Sequence, residues 1–198
     1  MTKIKDILPQ GWKLASMNDR SLVEIIMGQS PPGDTYNKDK NGLPFFQGKA
    51  DFGDIYPTPT VWCASPKKIA LPNDILLSVR APVGPTNIAF EKCCIGRGLT
   101  AIRCKELLNY KYLFFIMKYL DGENALLPTG STFDSIDIDK IKKLEFPLPP
   151  KYDDQIAIAN KLEIKFGELQ RIKNGLNQQL DALENLPHAI LRDTFRFT

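Results

Sequence analysis

The sequence is poor in the residues from which hydrolases and metal enzymes are built. It has one histidine, His188, so a Ser-His-Asp hydrolase or a histidine-rich metal enzyme would depend on that residue alone. Its four cysteines form no C-x-x-C pair with a second pair at zinc-finger spacing, so no structural metal is expected. The longest unbroken apolar run, residues 113–117, is far shorter than the roughly 20 residues that cross a bilayer. A membrane span is therefore excluded.

Motifs of cofactor-dependent enzymes are also missing. No glycine-rich turn follows a strand and opens a helix, as a dinucleotide or S-adenosylmethionine site requires, and there is no P-loop. Leu148-Pro149-Pro150-Lys151 lacks the acceptor with which an amino-methyltransferase holds its target amine. Glu163-Ile164-Lys165 resembles a metal-dependent nuclease motif, with Asp153 or Asp154 as second carboxylate, but it falls on a helical repeat. We expect no catalytic residue, cofactor or metal in this chain.

The N-terminal residues and the cysteines indicate the expected cellular location of the protein. Residues 1–9 contain two lysines but no apolar segment of a secretion signal, which makes the cytoplasm the expected location. Cys63, Cys93, Cys94 and Cys104 could by number form two disulfides, but reduced and mostly buried thiols are expected there. Packing must then stabilise the fold, and 43% hydrophobic residues in 198 supply a core.

Charge is distributed unevenly, although the net value is only +3. Residues 45–120 hold 10 basic and 5 acidic side chains, whereas residues 121–139 hold five acids and no base. Residues 151–198 are balanced, with 7 of each sign. The pattern indicates a dipolar globular domain followed by a neutral extension.

The string Pro147-Leu148-Pro149-Pro150 predicts a boundary, because proline cannot continue a helix or lie inside a sheet. We therefore expect a domain over 1–150 and a long helix over 151–198. Before the boundary, segments 75–79, 88–90, 99–102 and 144–146 predict short strands, and 110–120 predicts a helix capped by Asn109. The expected fold is an irregular α+β domain with a curled, mostly antiparallel sheet and short helices, followed by one long coiled-coil-forming helix.

A seven-residue leucine repeat follows the boundary. Leu162, Leu169, Leu176 and Leu183 are spaced by seven, Ile190 continues the phase, and Phe166 and Leu180 occupy companion positions. The repeat predicts a helix from Asp153 that ends or kinks at Pro187, about 50 Å long. Lys173 and Pro187 are expected to weaken its seam locally. Such a stripe suits a partner helix, so the expected dimerisation residues are Leu162, Phe166, Leu169, Leu176, Leu180 and Leu183. The alternative is an amphipathic helix folded back on its own domain.

Four stretches in the first region combine glycine with polar or cationic side chains: Gly28-Gln29-Ser30, Gln47-Gly48-Lys49, Gly96-Arg97-Gly98 and Thr129-Gly130-Ser131-Thr132. Glycine permits close approach to a ligand, planar Gln and Arg heads can read adenine and guanine, and hydroxyls suit phosphate oxygens. Each stretch alone could be an ordinary turn, and arginines could instead pair with the acids of 121–139. Together with Arg80 they predict a DNA surface. The candidate residues are Gln29, Ser30, Gln47, Lys49, Arg80, Arg97, Thr129, Ser131 and Thr132.

A series of short motifs runs through nearly the whole chain in a specific order. They are Leu8-Pro9-Gln10-Gly11-Trp12, Gly28-Gln29-Ser30-Pro31-Pro32-Gly33, Gly42-Leu43-Pro44-Phe45-Phe46-Gln47-Gly48, Asp74-Ile75-Leu76-Leu77-Ser78-Val79-Arg80-Ala81-Pro82-Val83-Gly84, Ile95-Gly96-Arg97-Gly98, Gly130-Ser131-Thr132, Pro147-Leu148-Pro149-Pro150 with Gln155-Ile156, and Leu186-Pro187-His188-Ala189-Ile190-Leu191. This order resembles that of specificity (S) subunits of Type I restriction-modification systems, in a half-length form with one target recognition domain and one spacer helix. Asp153-Asp154-Gln155 and the tail Phe195-Arg196-Phe197-Thr198 depart from the usual pattern.

The resemblance implies a non-catalytic subunit that reads one half of a bipartite site on double-stranded DNA. Methyltransferase (M) and restriction (R) subunits would supply the chemistry, with S-adenosylmethionine bound by the M subunit. Two copies pairing antiparallel through the helix would restore the tandem arrangement and imply an inverted-repeat target. The alternatives are a fragment of a DNA-modifying enzyme and a coiled-coil adaptor without DNA binding.

Overall fold

The computed structural model describes residues 8–123, 125–126 and 135–195. The chain divides into two compact units, one through Ala157 and one from Ile158 onward. The elements in chain order are β1 Lys13–Ser16, β2 Val23–Met27, β3 Tyr36–Asn37, β4 Leu43–Phe46, β5 Trp62–Cys63, β6 Ile69–Ala70, β7 Ile75–Ser78, β8 Thr86–Ile88, β9 Cys93–Ile95, β10 Leu99–Cys104, α1 Tyr110–Gly122, α2 Ile138–Lys142, β11 Glu145–Leu148 and α3 Tyr152–Thr194. Short 3-10 turns cover Gly33–Thr35 and Lys49–Asp51.

A four-stranded antiparallel sheet in the order β2-β10-β7-β8 carries much of the core. All four residues of β7 are buried, because both faces of this central strand are covered. The buried carboxylate of Asp74, next to β7, is paired, whereas the buried Oγ1 of Thr86 in β8 has no hydrogen-bond partner among the described residues. The Asp74 carboxylate accepts from Arg103 Nε at 2.9 Å and Nη2 at 2.8 Å, and its Oδ2 accepts from the Leu71 amide at 2.7 Å.

A second sheet has five short strands in the order β3-β5-β4-β9-β6. Its pairing is antiparallel except between β4 and β9, where Phe45 lies opposite Cys94 in a parallel register. Cys63, Cys93 and Cys94 are buried among its apolar side chains, and all four cysteines are free thiols. Burial raises the pKa of Cys93 to about 12, so this thiol stays protonated.

The third sheet pairs β1 with β11 and contains Pro147, which lies opposite Leu14. The expectation that this proline could not lie in a sheet is therefore wrong. The sheet has two strands, so each has an unpaired edge at which a residue without an N–H is tolerated. The fold class is nevertheless the expected one, with mixed, mostly antiparallel sheets, short helices and a long C-terminal helix.

Helix α1 begins as the sequence predicts. The Asn109 side chain accepts a hydrogen bond from the Tyr112 amide at 3.1 Å, which caps the first turn. The Tyr112 hydroxyl donates to the carbonyl of Pro147 at 2.8 Å. Buried Gln155 accepts from the Asn109 amide at 2.8 Å and donates to the Leu107 carbonyl at 3.1 Å. These bonds fix the start of α1 against β11 and the first turn of α3.

Helix α3 is longer than expected. It has 43 residues, about 64 Å at 1.5 Å per residue, and continues through Pro187 to Thr194. Of the two outcomes expected at Pro187, an end of the helix near Leu186 is wrong, because an internal proline removes a single backbone hydrogen bond while the turns on either side keep theirs; a kink there stays a prediction. Within the described residues, no helix combines the length and apolar character that spanning a membrane requires.

Candidate nucleic-acid interface

Four of the predicted DNA-binding residues line one small cleft. Gln47 and Lys49 follow β4, Arg80 follows β7, and Arg97 lies in the turn before β10. The cleft has a volume of about 160 Å³, and Ser78, Ala81 and the adjoining glycines complete its lining. All four long side chains are exposed. Residues 50 positions apart in sequence therefore form one surface.

The turn Gly96-Arg97-Gly98, called the central turn below, holds this surface together. Three other segments hydrogen-bond to it. The Arg97 amide donates to Ser30 Oγ at 3.2 Å, the Gly96 amide donates to the Phe46 carbonyl at 2.8 Å, and the Val79 amide donates to the Gly98 carbonyl at 2.9 Å. Since Gln29, Ser30, Gln47 and Arg80 adjoin these anchors, the fold brings the described candidates to one edge.

We call this surface the polar edge and define it by Gln29, Ser30, Gln47, Lys49, Arg80 and Arg97. Ser30 is half-buried, and the other five side chains are exposed. The segment that carries Gln29 is tied down by its amide, which donates to the Ile95 carbonyl at 3.0 Å. The remaining candidates, Thr129, Ser131 and Thr132, lie outside the described residues.

Two glycines at the polar edge have a different role from the one expected of them. A Cβ atom on Gly98 would collide with the carbonyl oxygen of Gln47, and a Cβ on Gly28 would collide with the carbonyl oxygen of Gly96. These glycines therefore let the chain cross itself closely and do not open room for a ligand. Only at Gly48, among the three stretches described, would a Cβ point into open space.

Sequence reasoning missed Asp51, which organises the loop that carries Gln47 and Lys49. Its Oδ2 accepts from the Gln47 amide at 2.7 Å and from the Gly48 amide at 3.3 Å. The only signal in the sequence is an aspartate three residues after a glycine, which is typical of many turns. The carboxylate fixes the backbone from which Gln47 projects.

The same loop is anchored below by Asn87, a fully buried residue of β8. Asn87 Oδ1 accepts from the Gly53 amide at 3.0 Å, and its Nδ2 donates to the Gly53 carbonyl at 2.9 Å. The loop after β4 is thus held at both ends. A preorganised loop loses little conformational entropy when it binds a ligand.

The arginines of the polar edge keep their charge available. Neither Arg80 nor Arg97 forms an ion pair with a described residue, including the described acids between 121 and 139. Arg80 is held by its backbone, since its carbonyl accepts from buried Ser78 Oγ at 3.1 Å. The predicted alternative, in which these arginines serve the fold through ion pairs, has no support in the described residues.

The loop around Ser30 is fixed by Tyr36. Its hydroxyl donates to the Pro31 carbonyl at 2.8 Å, and its ring stacks on Phe45 with centroids 4.6 Å apart. Burial raises the pKa of the Tyr36 phenol, and the positive charge of Arg97 opposes that increase. Tyr36 thus remains protonated and keeps the backbone beside Ser30 in place.

The apolar stripe of α3 is a separate surface. Leu162 is half-buried, and the exposed fractions of Phe166, Leu169, Leu176, Leu180 and Leu183 range from 46% to 64%. Ile172 and Leu186 are exposed by 59% and 50%, and the sequence analysis did not assign them to the seam. With them, the stripe comprises Leu162, Phe166, Leu169, Ile172, Leu176, Leu180, Leu183, Leu186 and Ile190.

The nine residues span 28 positions, so their mean spacing is 3.5 residues, the repeat of a left-handed coiled coil. Ile172 and Leu186 each lie one residue before Lys173 and Pro187, which keep the heptad phase of Phe166 and Leu180. The local weakening expected at Lys173 and Pro187 stays a prediction.

No group of three or more His, Cys, Asp or Glu side chains is placed to bind a metal ion within the part of the chain that the structure describes. What the described surface offers is hydrogen-bonding planar heads, cationic groups and an apolar stripe.

Comparison with known proteins shows to which protein family the chain belongs. Residues 9–182 match the sequence model of the type I restriction modification DNA specificity domain, and the chain belongs to that family. It is 40% identical over 175 residues to the type I restriction enzyme MjaX specificity subunit of Methanocaldococcus jannaschii. The aligned region covers 88% of this chain and 41% of that protein.

Solved structures agree. One similar chain comes from a structural study of complex assembly and conformational transition of the type I R-M system, with a TM-score of 0.84 and 43% identity. The match covers 96% of this chain and 47% of that one. It matches the HsdS subunit from Thermoanaerobacter tengcongensis with a TM-score of 0.77 and 42% identity over 96% and 46% of the two chains. The type I S subunit from M. genitalium, 19% identical over 90% and 45% with a TM-score of 0.62, shares the fold. The chain thus spans less than half the length of these relatives.

Proposed function

We propose that this chain is the sequence-specific DNA-binding specificity subunit of a Type I restriction-modification system and reads one half of a bipartite site. The convergence of the six residues of the polar edge on the central turn carries the proposal. Four chain segments with separate positions in sequence present planar and cationic side chains on one exposed surface, and internal hydrogen bonds hold each segment. Membership of the specificity-domain family supports the same conclusion.

The side chains divide by the contacts they can make. Arg97 and Gln47 have planar heads that can form two hydrogen bonds with guanine and adenine, respectively, in the major groove. Lys49, Arg80 and Ser30 suit phosphate oxygens, which fix the register of a protein on the duplex without reading its sequence. Gln29, at the margin of the same edge, can serve either purpose. Thr129, Ser131 and Thr132 remain candidates for phosphate contacts.

Helix α3 supplies the spacing between half-sites in this proposal. Its exposed stripe of mean spacing 3.5 suits an antiparallel helix from a second copy of the chain. Because the chain spans less than half of its relatives, two copies would provide two recognition domains. An antiparallel homodimer reads the same half-site on opposite strands, so its target would be an inverted repeat.

The chemistry would come from partners. The M subunit would bind S-adenosylmethionine and methylate the site, and the R subunit would cleave DNA; this chain would direct both without catalysing either reaction. The study that gives a structural relative concerns complex assembly of the type I R-M system, which supports an assembled complex. The cytoplasm is the proposed location, consistent with four free thiols. Methylation is expected only after an M subunit is added to the purified chain.

Paired variants of the polar edge test the proposal. Arg97→Ala should weaken binding to the specific site by about 1–3 kcal/mol and change binding to random DNA little, because only base contacts are lost. The three hydrogen bonds of the central turn to its neighbours use backbone groups at residues 96–98, so the fold is retained. Fluorescence anisotropy with matched specific and random duplexes measures both affinities.

Lys49→Ala is the matched control for a phosphate contact. It should weaken binding to both duplexes and reduce the slope of log affinity against log salt by about one unit. Unchanged specific binding by Arg97→Ala, or a loss that follows a lowered melting temperature, would refute the base-reading assignment. A wild-type chain without salt-dependent DNA affinity would instead indicate an adaptor.

A further inference from the structure

A second cleft lies at the opposite end of β2 from the polar edge. Its volume is about 340 Å³, and it combines three cationic side chains with an apolar floor. We call it the β2 cleft. Its lining residues are Met17, Asn18, Arg20, Val23, Glu24, Ile25, Lys105, Ile138 and Lys142.

The two surfaces are separated by the length of one strand pair. The ladder between β2 and β10 runs from Met27 opposite Thr100 to Val23 opposite Cys104. Four steps of about 3.4 Å give roughly 14 Å between these ends. The segment carrying Gln29 and Ser30 leaves β2 at one end, whereas Val23 and Lys105 mark the β2 cleft at the other. The cleft is therefore not part of the polar edge.

The cations of the β2 cleft carry an excess of positive charge. Arg20 and Lys105 are exposed and form no ion pair with any residue in the described ranges. Lys142 Nζ lies 3.9 Å from Asp139 Oδ1, but the Asp139 side chain is 78% exposed, so this contact is weak. Glu24, the acid in the lining, contacts Arg103 Nη1 at 3.4 Å. The field inside the cleft favours an anionic ligand.

The floor determines what kind of anion fits. Met17 and Val23 are buried, and Ile25 and Ile138 are half-buried, so they present apolar surface between the cations. A phosphate backbone has no apolar side chains and gains nothing from such a floor. A peptide that bears both carboxylate and apolar side chains matches both parts of the lining.

We infer that the β2 cleft docks an acidic, partly apolar segment of a partner protein. This inference rests on the proposed function, in which the M subunit is a partner that this chain directs to its site. The cleft leaves the polar edge free, so the same chain can hold its partner and DNA together. Arg20, Lys105 and Lys142 bind the carboxylates of the segment.

The test uses the full chain and the M subunit of its own restriction-modification system. In isothermal titration, the double variant Arg20→Glu/Lys105→Glu should bind the M subunit roughly tenfold or more weakly, and Arg20→Gln/Lys105→Gln should lose less. Lys67→Glu/Lys68→Glu, two exposed lysines outside both clefts, should bind as the wild type does. Affinity of the cleft variants for random DNA should stay within about twofold, since phosphate contacts elsewhere are unchanged.

Zero-length crosslinking identifies the docked segment, because a carbodiimide joins lysine amines directly to carboxylates. Mass spectrometry of the wild-type complex should find Lys105 or Lys142 joined to an acidic peptide of the M subunit. M-subunit binding that is equally strong in the charge-reversed variant, or crosslinks confined to other lysines, would overturn the inference. An equal loss of DNA affinity would also overturn it and make the cleft a phosphate site. Failure of the wild type to bind the M subunit would refute the proposed function instead.

Discussion

The two units of this chain use apolar residues in opposite ways. In the unit that ends at Ala157, residues such as Leu113, Phe146 and Ile75 are completely buried. In the unit that begins at Ile158, Leu176 and Leu183 are exposed by 60% and 64%. The first unit encloses its own core, whereas the second presents its apolar residues at the surface. The first unit is thus stabilised by its own core, whereas the stability of the second unit depends on what covers the apolar stripe of α3.

Polar groups show a related contrast. Buried polar side chains of the first unit, such as Asp74, Asn87 and Gln155, form hydrogen bonds with residues 29 to 46 positions away. In α3, the hydrogen bond from Gln170 Nε2 to Asn174 Oδ1 at 3.1 Å is local and exposed. The first unit is therefore fixed by contacts distant in sequence, and the helix by contacts within one turn.

A leucine-to-alanine substitution in each unit tests the difference between the two units, and its expected effect is the largest. Leu113→Ala should reduce the free energy of unfolding of the first unit by about 2–5 kcal/mol, because it leaves a cavity in a closed core. Leu176→Ala should leave the unfolding of that unit unchanged. Urea denaturation followed by tryptophan fluorescence measures both, since Trp12 and Trp62 lie in the first unit. Equal destabilisation by the two variants would contradict the distinction.

A charge in the stripe tests the dependence of α3 on a partner. Leu176→Lys should weaken the homodimer by about 2–3 kcal/mol, because association would bury an unpaired ammonium group. Light scattering at tens of micromolar should show a dimer for the wild type and a shift toward monomer for the variant.

Gln178→Lys, at an exposed position of α3 on the face opposite the stripe, is a control that should leave the dimer intact. A monomeric wild type, or an unchanged dimer in Leu169→Lys/Leu176→Lys, would refute the proposed pairing.

The smallest expected effect concerns the loop of the polar edge. Asp51→Ala removes two hydrogen bonds to the Gln47 and Gly48 amides and should cost about 1 kcal/mol of stability. It should also reduce discrimination between specific and random DNA, because Gln47 loses its fixed position. Asp51→Asn keeps an acceptor oxygen and should recover most of that discrimination. If alanine lowered only the melting temperature, Asp51 would have no positioning role.

Features that depend on local chemistry were predictable from the sequence. Helix α1 and its Asn109 cap follow from a capping residue before an apolar periodic segment, and β7 and β10 follow from buried apolar runs. The two-residue strands β5 and β6 were not predictable, because two residues cannot establish a period. The place of Pro147 inside β11 was not predictable, since this strand has a free edge that no local pattern indicates.

The candidate site shows the same limit. Planar heads beside glycines indicated Gln47 and Arg97 individually, and the charge of Arg80 indicated a phosphate contact. Their meeting depends on long-range pairing, such as the parallel contact between Phe45 and Cys94, which fixes where the central turn lies. In α3, the strict seven-residue leucine repeat did not indicate Ile172 and Leu186, because the stripe mixes steps of three and four residues.

The central claim, that this chain reads DNA sequence through the polar edge, is tested most directly by selecting DNA. The chain assembled with its M subunit is incubated with random duplexes, and the retained molecules are sequenced over several rounds. The account predicts enrichment of one bipartite motif with inverted-repeat halves, and loss of preference at a defined base pair of each half with Arg97→Ala. A pool without an enriched motif, or an identical motif from the Arg97→Ala and Gln47→Ala variants, would contradict it.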